Sequence, residues 1–265
     1  MPRQVTAFSN STVKLLRSLR DKKARRSEGL FLAEGLRILT EARDSGRLPE
    51  IVAFSAEGAR HPLAAEIIAA TEAAGGDAIE TTPDILTKMS GKDNPQMLLG
   101  AYRQPDTDLA QIDRAKAPLW IVAQALRDPG NLGTILRTGD AVGAGGLILI
   151  DDSADPFSVE AVRASMGALF TQAIATARWP EFVDWCGGDE GQLVGTSLKA
   201  SQDYLTAEYR RPCFLLIGNE QQGLPADYEA ECDLLVKIPM AGRADSLNAA
   251  MATAVMAFAI RASWR

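Results

Sequence analysis

Three clusters of polar residues directly follow apolar, strand-like segments, which is where a reacting group could be positioned. The clusters lie at residues 131–140, 216–225 and 238–248. Their members with the chemistry to bind or orient a substrate are Asn131, Arg137, Glu220, Ser246 and Asn248. Each cluster alone also has a plain structural interpretation: a capped helix with one surface arginine, a tight turn, and a strand-to-helix connection. In combination they place a cation, a carboxylate and amides at the ends of strands, where open parallel sheets bind ligands.

Common nucleotide-binding signatures are absent from the sequence. No G-x-G-x-x-G pattern follows a strand-like segment, and Gly143–Gly146 comes after a helical pattern and before a strand, which is the wrong context for a dinucleotide loop. A Walker A sequence is also missing. A nucleoside cofactor would therefore be bound by a different arrangement.

Metal and triad chemistry are not indicated either. The three cysteines, Cys186, Cys213 and Cys232, lack C-x-x-C spacing, so neither a zinc site nor a disulfide framework is expected. The single histidine, His61, precedes a proline in a polar stretch, which favours a surface position over membership of a Ser-His-Asp triad.

Composition places the chain among globular proteins. Of its 265 residues, 46% are hydrophobic and 23% are charged. No apolar run approaches the roughly 20 residues of a membrane span, and the first residues lack the apolar core of a secretory signal. We expect no membrane association and a cytoplasmic location.

Positive charge is concentrated at one end of the chain. The net charge is −6, yet residues 1–50 contain eleven Lys/Arg against six Asp/Glu, a balance of +5. Between Ser11 and Arg26 the pattern predicts a basic amphipathic helix that runs into a basic loop. Clustered cations gain free energy by displacing counterions from RNA, which nominates Lys22, Lys23, Arg25 and Arg26 as RNA contacts. A solvated helix face is the alternative interpretation.

The elements that must position these residues form two domains. Alternating short strands and helices predict a small, mostly parallel α/β domain over residues 1–104, and a proline-flanked, aperiodic stretch predicts a linker over 105–117. Longer β-α units over 118–265 predict an open parallel sheet covered by helices. Its last element is predicted to be a helix from Ser246 to Trp264, capped by Asp245 or Ser246.

Taken together and in this order, the three clusters closely resemble the signature motifs of the SpoU/TrmH RNA 2′-O-ribose methyltransferases of the SPOUT superfamily. The resemblance covers residues 118–265. Phe31–Arg37 and Asn94–Gln96 further resemble landmarks of the RNA substrate-binding domain that many of these enzymes carry. One departure is the pair Gln221-Gln222, where relatives often have a small or basic residue.

The resemblance implies a trefoil-knotted catalytic domain that uses S-adenosyl-L-methionine and requires no metal. By position, the cofactor would be bound by Thr196, Gly218, Ile238, Met240 and Leu247. Arg137 would hold phosphate and stabilise the forming alkoxide, or act as a base if its pKa were strongly depressed. Glu220 would orient Arg137 or the motif loops, Asn131 would fix its own loop, and Ser246 and Asn248 would position the ribose and loop.

The resemblance also implies partners: RNA, most readily ribosomal RNA because of the separate basic N-terminal domain, and a second copy of the chain in a homodimer. Two alternatives stay open at this point. The substrate could be transfer RNA, or the protein could be a non-catalytic RNA-binding assembly factor that keeps the fold without turnover. The presence of Arg137 and Asn248 speaks against the latter.

Overall fold

The chain forms two compact units in a computed structural model, which describes residues 2–92, 94–187 and 191–265. One unit comprises the chain up to Pro105 together with Asp155–Thr171, and the other comprises Asp106–Ala154 and Gln172–Arg265. The sequence places Asp155–Thr171 in the catalytic domain, whereas the contacts group this segment with the N-terminal unit. Helical periodicity in the sequence shows that one face of a helix is buried, but it does not show which unit that face packs against.

The two units contain twelve strands and ten helices within the described ranges. The strands are β1 (Arg3–Val5), β2 (Leu30–Glu34), β3 (Ile51–Ser55), β4 (Asp77–Thr81), β5 (Leu98–Arg103), β6 (Leu119–Gln124), β7 (Gly146–Ile150), β8 (Ala173–Ala177), β9 (Gln192–Thr196), β10 (Gln202–Asp203), β11 (Cys213–Ile217) and β12 (Leu234–Lys237). The helices are α1 (Ser11–Ser18), α2 (Lys22–Glu28), α3 (Leu36–Asp44), α4 (Pro62–Ala73), α5 (Pro83–Ser90), α6 (Pro129–Val142), α7 (Val159–Ser165), α8 (Trp179–Cys186), α9 (Ala226–Ala230) and α10 (Ala249–Ser263).

The first unit is built on a five-stranded sheet of order β1-β4-β3-β5-β2. It is mixed: β4 pairs in parallel with β1 and β3, whereas β5 runs antiparallel to both β3 and β2. The expectation of a mostly parallel sheet was therefore wrong. Strand spacing does not reveal the direction in which a strand returns, because that depends on where the connecting helix deposits the chain.

The predicted basic helix is α1, and the prediction of a basic loop after it is wrong, because that segment forms a second helix, α2. Asp21 separates them, because its carboxylate accepts the backbone N–H of Lys23 at 2.8 Å and thereby caps α2. Gly29 ends α2 in the left-handed region at φ +64°. An aspartate inside a basic run was the sequence feature that could have indicated the start of a second helix.

The second unit is a seven-stranded sheet of order β10-β12-β9-β11-β6-β7-β8 in which every described pairing is parallel. This confirms the predicted parallel sheet. The β11 strand is central and fully buried, as its apolar sequence requires. The stretch interpreted as a linker packs on this unit, since Leu109 and Ala117 join its core and Trp120 donates its indole N–H to the Arg114 carbonyl at 3.0 Å.

Helices α6 and α10 pack side by side in the second unit. Asn131 near the start of α6 is bonded to Asn248 at the start of α10, and Gly143 after α6 lies near Arg261 towards the end of α10. The two helices are therefore parallel, with both N-termini at one end. In the described part of the chain, no helix is long and apolar enough to cross a membrane.

Candidate active site

The start of α6 fixes the first cluster. The carboxylate of Asp128 accepts the N–H of Asn131 at 2.6 Å, and Pro129 occupies the first turn, where its missing N–H costs nothing. The helix thus begins at Pro129 and places Asn131 in its first turn. Arg137 lies nearly two turns later and is exposed.

A tightly closed loop after β11 fixes the second cluster. Asn219 and Gly223 exchange backbone hydrogen bonds of 3.2 and 2.9 Å, and the Asn219 side chain accepts the N–H of Gln221 at 2.9 Å. A Cβ on Gly218 would lie 2.4 Å from a backbone carbon of Gly223, so only glycine permits this closure. The loop holds Glu220 at the end of the sheet.

The start of α10 fixes the third cluster. Asn248, not Asp245 or Ser246, is the capping residue: its side-chain oxygen accepts the N–H of Ala250 at 2.9 Å. The helix begins at Ala249, three residues later than predicted. Ser246 is left exposed in the preceding loop.

One hydrogen-bond chain joins all three clusters. The amide nitrogen of Asn131 donates to the Glu220 carboxylate at 3.1 Å, and its oxygen accepts from the amide nitrogen of Asn248 at 2.9 Å. Because a carboxylate only accepts, Glu220 dictates the orientation of the Asn131 amide, and Asn131 in turn dictates that of Asn248. These hydrogen bonds fix, relative to one another, the positions of three segments that are far apart in sequence.

The same carboxylate faces the backbone at the entry to α6. Glu220 accepts longer bonds from the N–H groups of Arg127, at 3.4 Å, and Asp128, at 3.5 Å. An anion near a helix N-terminus is stabilised by the helix dipole. The sequence suggested that Glu220 orients either Arg137 or the motif loops. Glu220 makes no contact with Arg137, and its bonds to Asn131 and to the backbone before α6 are those of a residue that holds the motif loop.

A cavity of about 250 Å³ lies at the carboxyl ends of β9, β11 and β12 and against the start of α10. Its size is close to the lower end of small-molecule sites, roughly 300 Å³. All five predicted cofactor residues line it, together with two of the predicted catalytic residues: Thr196, Gly218, Ile238, Met240, Leu247, Glu220 and Ser246. The structure therefore brings these residues together.

The walls of this cavity combine apolar side chains with unused backbone donors. Ile238, Met240 and Leu247 present apolar surface, and none of their N–H groups donates to another residue within the described ranges. Such free amides can hydrogen-bond the ring nitrogens of a base, and the apolar side chains can cover its faces. The chemistry of the lining suits a nucleoside.

A second cavity, of about 700 Å³, lies beside the first and shares residues 219–224 with it. Its other walls come from the end of β6 and the entry to α6. The sequence did not predict Gln124 as a lining residue or Asn219 as the residue that shapes the loop. A polar residue at the end of an otherwise apolar strand was the only signal for Gln124.

Arg137 is the one predicted catalytic residue that the structure leaves apart. It lines neither cavity, and among the described residues its guanidinium has no hydrogen-bond or ion-pair partner. The chain of Glu220, Asn131 and Asn248 lies at the N-terminal end of α6, whereas Arg137 projects from its middle.

The predicted RNA contacts divide into exposed and buried residues. Lys22, Lys23 and Arg26 are exposed on α2. Arg25 is only 3% exposed, and its guanidinium pairs with Asp155 at 2.6 Å and donates to two backbone carbonyls. Arg25 was therefore wrongly assigned as an RNA contact. The helical turn directs its side chain inward, where the partly buried carboxylate of Asp155 holds it.

The cysteines have no environment that would activate them. Burial raises the pKa of Cys186 to about 12, and it raises that of Cys232 to about 12 as well. Both thiols therefore stay protonated at neutral pH. Among the described residues no group of histidine, cysteine and acidic side chains could hold a metal ion.

Comparison with known proteins matches both parts of the chain to families. Residues 118–258 match the SpoU rRNA Methylase family, and residues 10–100 match the MRM3-like substrate binding domain. The chain is 33% identical to a 23S rRNA (uridine(2479)-2'-O)-methyltransferase of Streptomyces viridochromogenes, over 91% of this chain and 85% of that protein. It is 28% identical to the 23S rRNA (guanosine(2553)-2'-O)-methyltransferase RlmP of Bacillus subtilis strain 168, over 98% and 99% of the two chains.

Among solved structures, the AdoMet-bound rRNA methyltransferase from Sinorhizobium meliloti superimposes with a TM-score of 0.90 at 40% identity. The match covers 98% of this chain and 97% of that chain.

Proposed function

Since the chain belongs to the SpoU rRNA methylase family, we propose that it transfers a methyl group from S-adenosyl-L-methionine to the 2′-hydroxyl of a ribose in ribosomal RNA. The observation that carries this proposal is the hydrogen-bond chain of Glu220, Asn131 and Asn248 beside a nucleoside-sized cavity. The relatives above are 2′-O-methyltransferases of 23S rRNA, and a related structure binds AdoMet.

The residues of the smaller cavity fit the cofactor. The free N–H groups of Ile238, Met240 and Leu247 would bind the adenine edge, and Gly218 permits the closed loop that forms one wall of the cavity. When bound, the cofactor supplies an electrophilic methyl group on a positively charged sulfur. Glu220 lines the same cavity and offers a carboxylate to that charge.

The remaining residues would position the nucleophile. In-line displacement at a methyl group depends on the alignment of the attacking oxygen, which a rigid frame supplies. Asn131 and Asn248 hold the entry of α6 and the start of α10 in register with Glu220, so the site is pre-formed. Ser246 lines the cavity and is exposed, and it would contact the ribose.

We propose that Arg137 acts on the site of a partner subunit in a homodimer. Helix α10 exposes an apolar stripe that includes Met251, 63% exposed, and Phe258, 54% exposed, and the parallel helix α6 exposes Thr134 and Arg137. Exposed apolar side chains of this size favour association. A guanidinium brought in from a second chain would hold a phosphate and stabilise the negative charge that develops on the ribose oxygen.

Subunit mixing tests this arrangement. Arg137→Ala and Asn248→Ala should each be inactive as homodimers, yet a re-equilibrated equal mixture should regain about a quarter of wild-type activity, because half of the dimers would contain one intact site. A mixture that stays inactive would show that Arg137 acts within its own chain, and a monomeric mass by light scattering at micromolar concentration would refute the dimer.

Other features support RNA as the substrate. Lys22, Lys23 and Arg26 are exposed together on α2, and we propose that they contact phosphates. A ribosomal substrate would place the activity in the cytoplasm.

We also propose the trefoil knot of the family, which the packing of α10 against α6 and β11 would accommodate. We further propose that the N-terminal domain ends at residue 104 and that the catalytic domain begins at residue 118.

The direct test is transfer of labelled methyl groups to RNA from a strain that lacks the gene, followed by digestion to nucleosides. Label in a 2′-O-methylated nucleoside of ribosomal RNA is the expected result. Label in transfer RNA would change the substrate, label in a methylated base would change the chemistry, and no label in either RNA would support a non-catalytic assembly protein.

A further inference from the structure

The larger cavity has a polar group that the proposed chemistry leaves unused. It is walled by the end of β6, the entry to α6 and the loop at residues 219–224, with Leu224 and Pro225 as apolar surface. Gln221 and Gln222 are exposed in that loop and line both cavities. A cavity of about 700 Å³ has room for a nucleotide.

Gln124 is the buried polar residue of this cavity. Its side chain is only 8% exposed, and its amide nitrogen donates to the carboxylate of Asp151 at 3.4 Å. Asp151 is itself held by the N–H of Trp179 at 3.2 Å and the hydroxyl of Tyr228 at 2.7 Å. Since a carboxylate can only accept, the amide of Gln124 is oriented, and its oxygen is the free end.

Across residues 2–92, 94–187 and 191–265, nothing donates a hydrogen bond to the Gln124 side-chain oxygen, although the residue lines the cavity. The oxygen is not among the buried, unpartnered side-chain atoms of the described residues, so it is open to the cavity and can accept a hydrogen bond from a ligand that supplies the donor. The complementary group is an N–H.

The backbone beside Gln124 is held in an unusual conformation. Ala125 has φ +46°, which non-glycine residues rarely adopt. Two hydrogen bonds enforce it: its N–H donates to the carbonyl of Ile150 at 3.1 Å, and its carbonyl accepts from the side chain of Asn219 at 2.8 Å. Such strain persists where the surroundings determine it, often at ligand sites. Here it ties the end of β6 to the loop that separates the two cavities.

We propose that the larger cavity is a nucleobase subsite, in which the oxygen of Gln124 accepts a hydrogen bond from an N–H group on the Watson–Crick edge of the target base. The base would be turned out of its stack, with Leu224 and Pro225 against its face and Gln221 and Gln222 beside it. The target ribose would then lie next to the loop shared with the cofactor cavity. This inference rests on the proposed methyl transfer to RNA.

The test compares two RNAs that differ only in the target base. Transcripts that contain the nucleotide methylated by the wild-type protein are made with that base or with an abasic ribose. Gln124→Met keeps the length of the side chain and removes the acceptor. It should lower kcat/KM on the intact RNA about 10- to 100-fold, the effect of leaving a buried N–H unpaired. On the abasic RNA, Gln124→Met and the wild type should have equal rates.

Two controls separate recognition from damage to the fold. Gln111→Met alters an exposed glutamine outside the cavity and should leave both rates unchanged. Binding of S-adenosyl-L-methionine to Gln124→Met, measured by calorimetry, should match that of the wild type. An equal loss on both RNAs, or no loss on either, would overturn the base subsite while methyl transfer by the wild type stands. A wild-type protein that methylates no RNA would overturn the proposed function itself, and the subsite with it.

Discussion

Removal of the Asn131 side chain should weaken the connection between three segments of the second unit. Asn131→Ala loses one hydrogen bond to a carboxylate, roughly 1.5–3 kcal/mol, and one to the amide of Asn248, roughly 0.5–1.5 kcal/mol. Because Asn131 is half-buried and Asn248 is exposed, the low end of both ranges applies. We expect the free energy of unfolding to fall by about 2 kcal/mol.

A double-mutant cycle isolates the shared bond. Asn248→Ala loses the same bond to Asn131 and also the cap of α10, and should cost about 2 kcal/mol. In the double variant the shared bond is lost only once. The combined cost should therefore be about 1 kcal/mol less than the sum of the single costs.

The assay is urea unfolding of the full chain followed by tryptophan fluorescence. The four tryptophans are Trp120, Trp179, Trp185 and Trp264, so the signal reports on the second unit. Asn10→Ala is the matched control, because Asn10 also caps a helix but lies in the first unit. Because Asn10 lies outside the unit that the signal reports on, Asn10→Ala should leave the cost of Asn131→Ala in the tryptophan signal unchanged. Single costs for Asn131 and Asn248 that add within about 0.5 kcal/mol would refute the hydrogen-bond chain.

Three further outcomes follow from the described contacts. Gly218→Ala should abolish binding of S-adenosyl-L-methionine because its Cβ would lie 2.4 Å from backbone, whereas Gly242→Ala, which meets nothing within 4 Å, should bind normally; calorimetry on both variants decides. Arg25→Met should lower the stability of the first unit by about 3 kcal/mol, the low end for a buried pair, because it leaves the partly buried carboxylate of Asp155 unpaired, measured by circular dichroism; a loss of RNA affinity in a fully stable variant would contradict the structural role. Cys186 and Cys232 should not react with a thiol reagent at pH 8 until urea is added, and stability should fall as pH rises from about 9 towards 12, because the unfolded thiols ionise first; rapid native labelling would contradict their burial.

The identity of the elements was largely readable from the sequence. The apolar residues of α3, Leu36–Asp44, recur at helical spacing, so the sequence alone indicates a helix there. The apolar run of β11 ends at a glycine, and Asn131, Glu220 and Asn248 could be selected as polar residues at the ends of strands. Short elements such as β1, β10 and α9 were missed, because two to five residues are too few to show a period.

Only the tertiary structure decided which of these residues meet. Glu220 lies 89 positions from Asn131, and Asn248 lies 117 positions from it, so no local pattern could pair them. The sheet order β12-β9-β11-β6 brings their segments to one edge, whereas Arg137 lies in the middle of α6 and lines neither cavity. The inward orientation of Arg25 likewise depends on tertiary packing, because its partner Asp155 is distant in sequence. Periodicity determines which face of an element is buried, whereas the partner of that face depends on how the whole chain packs.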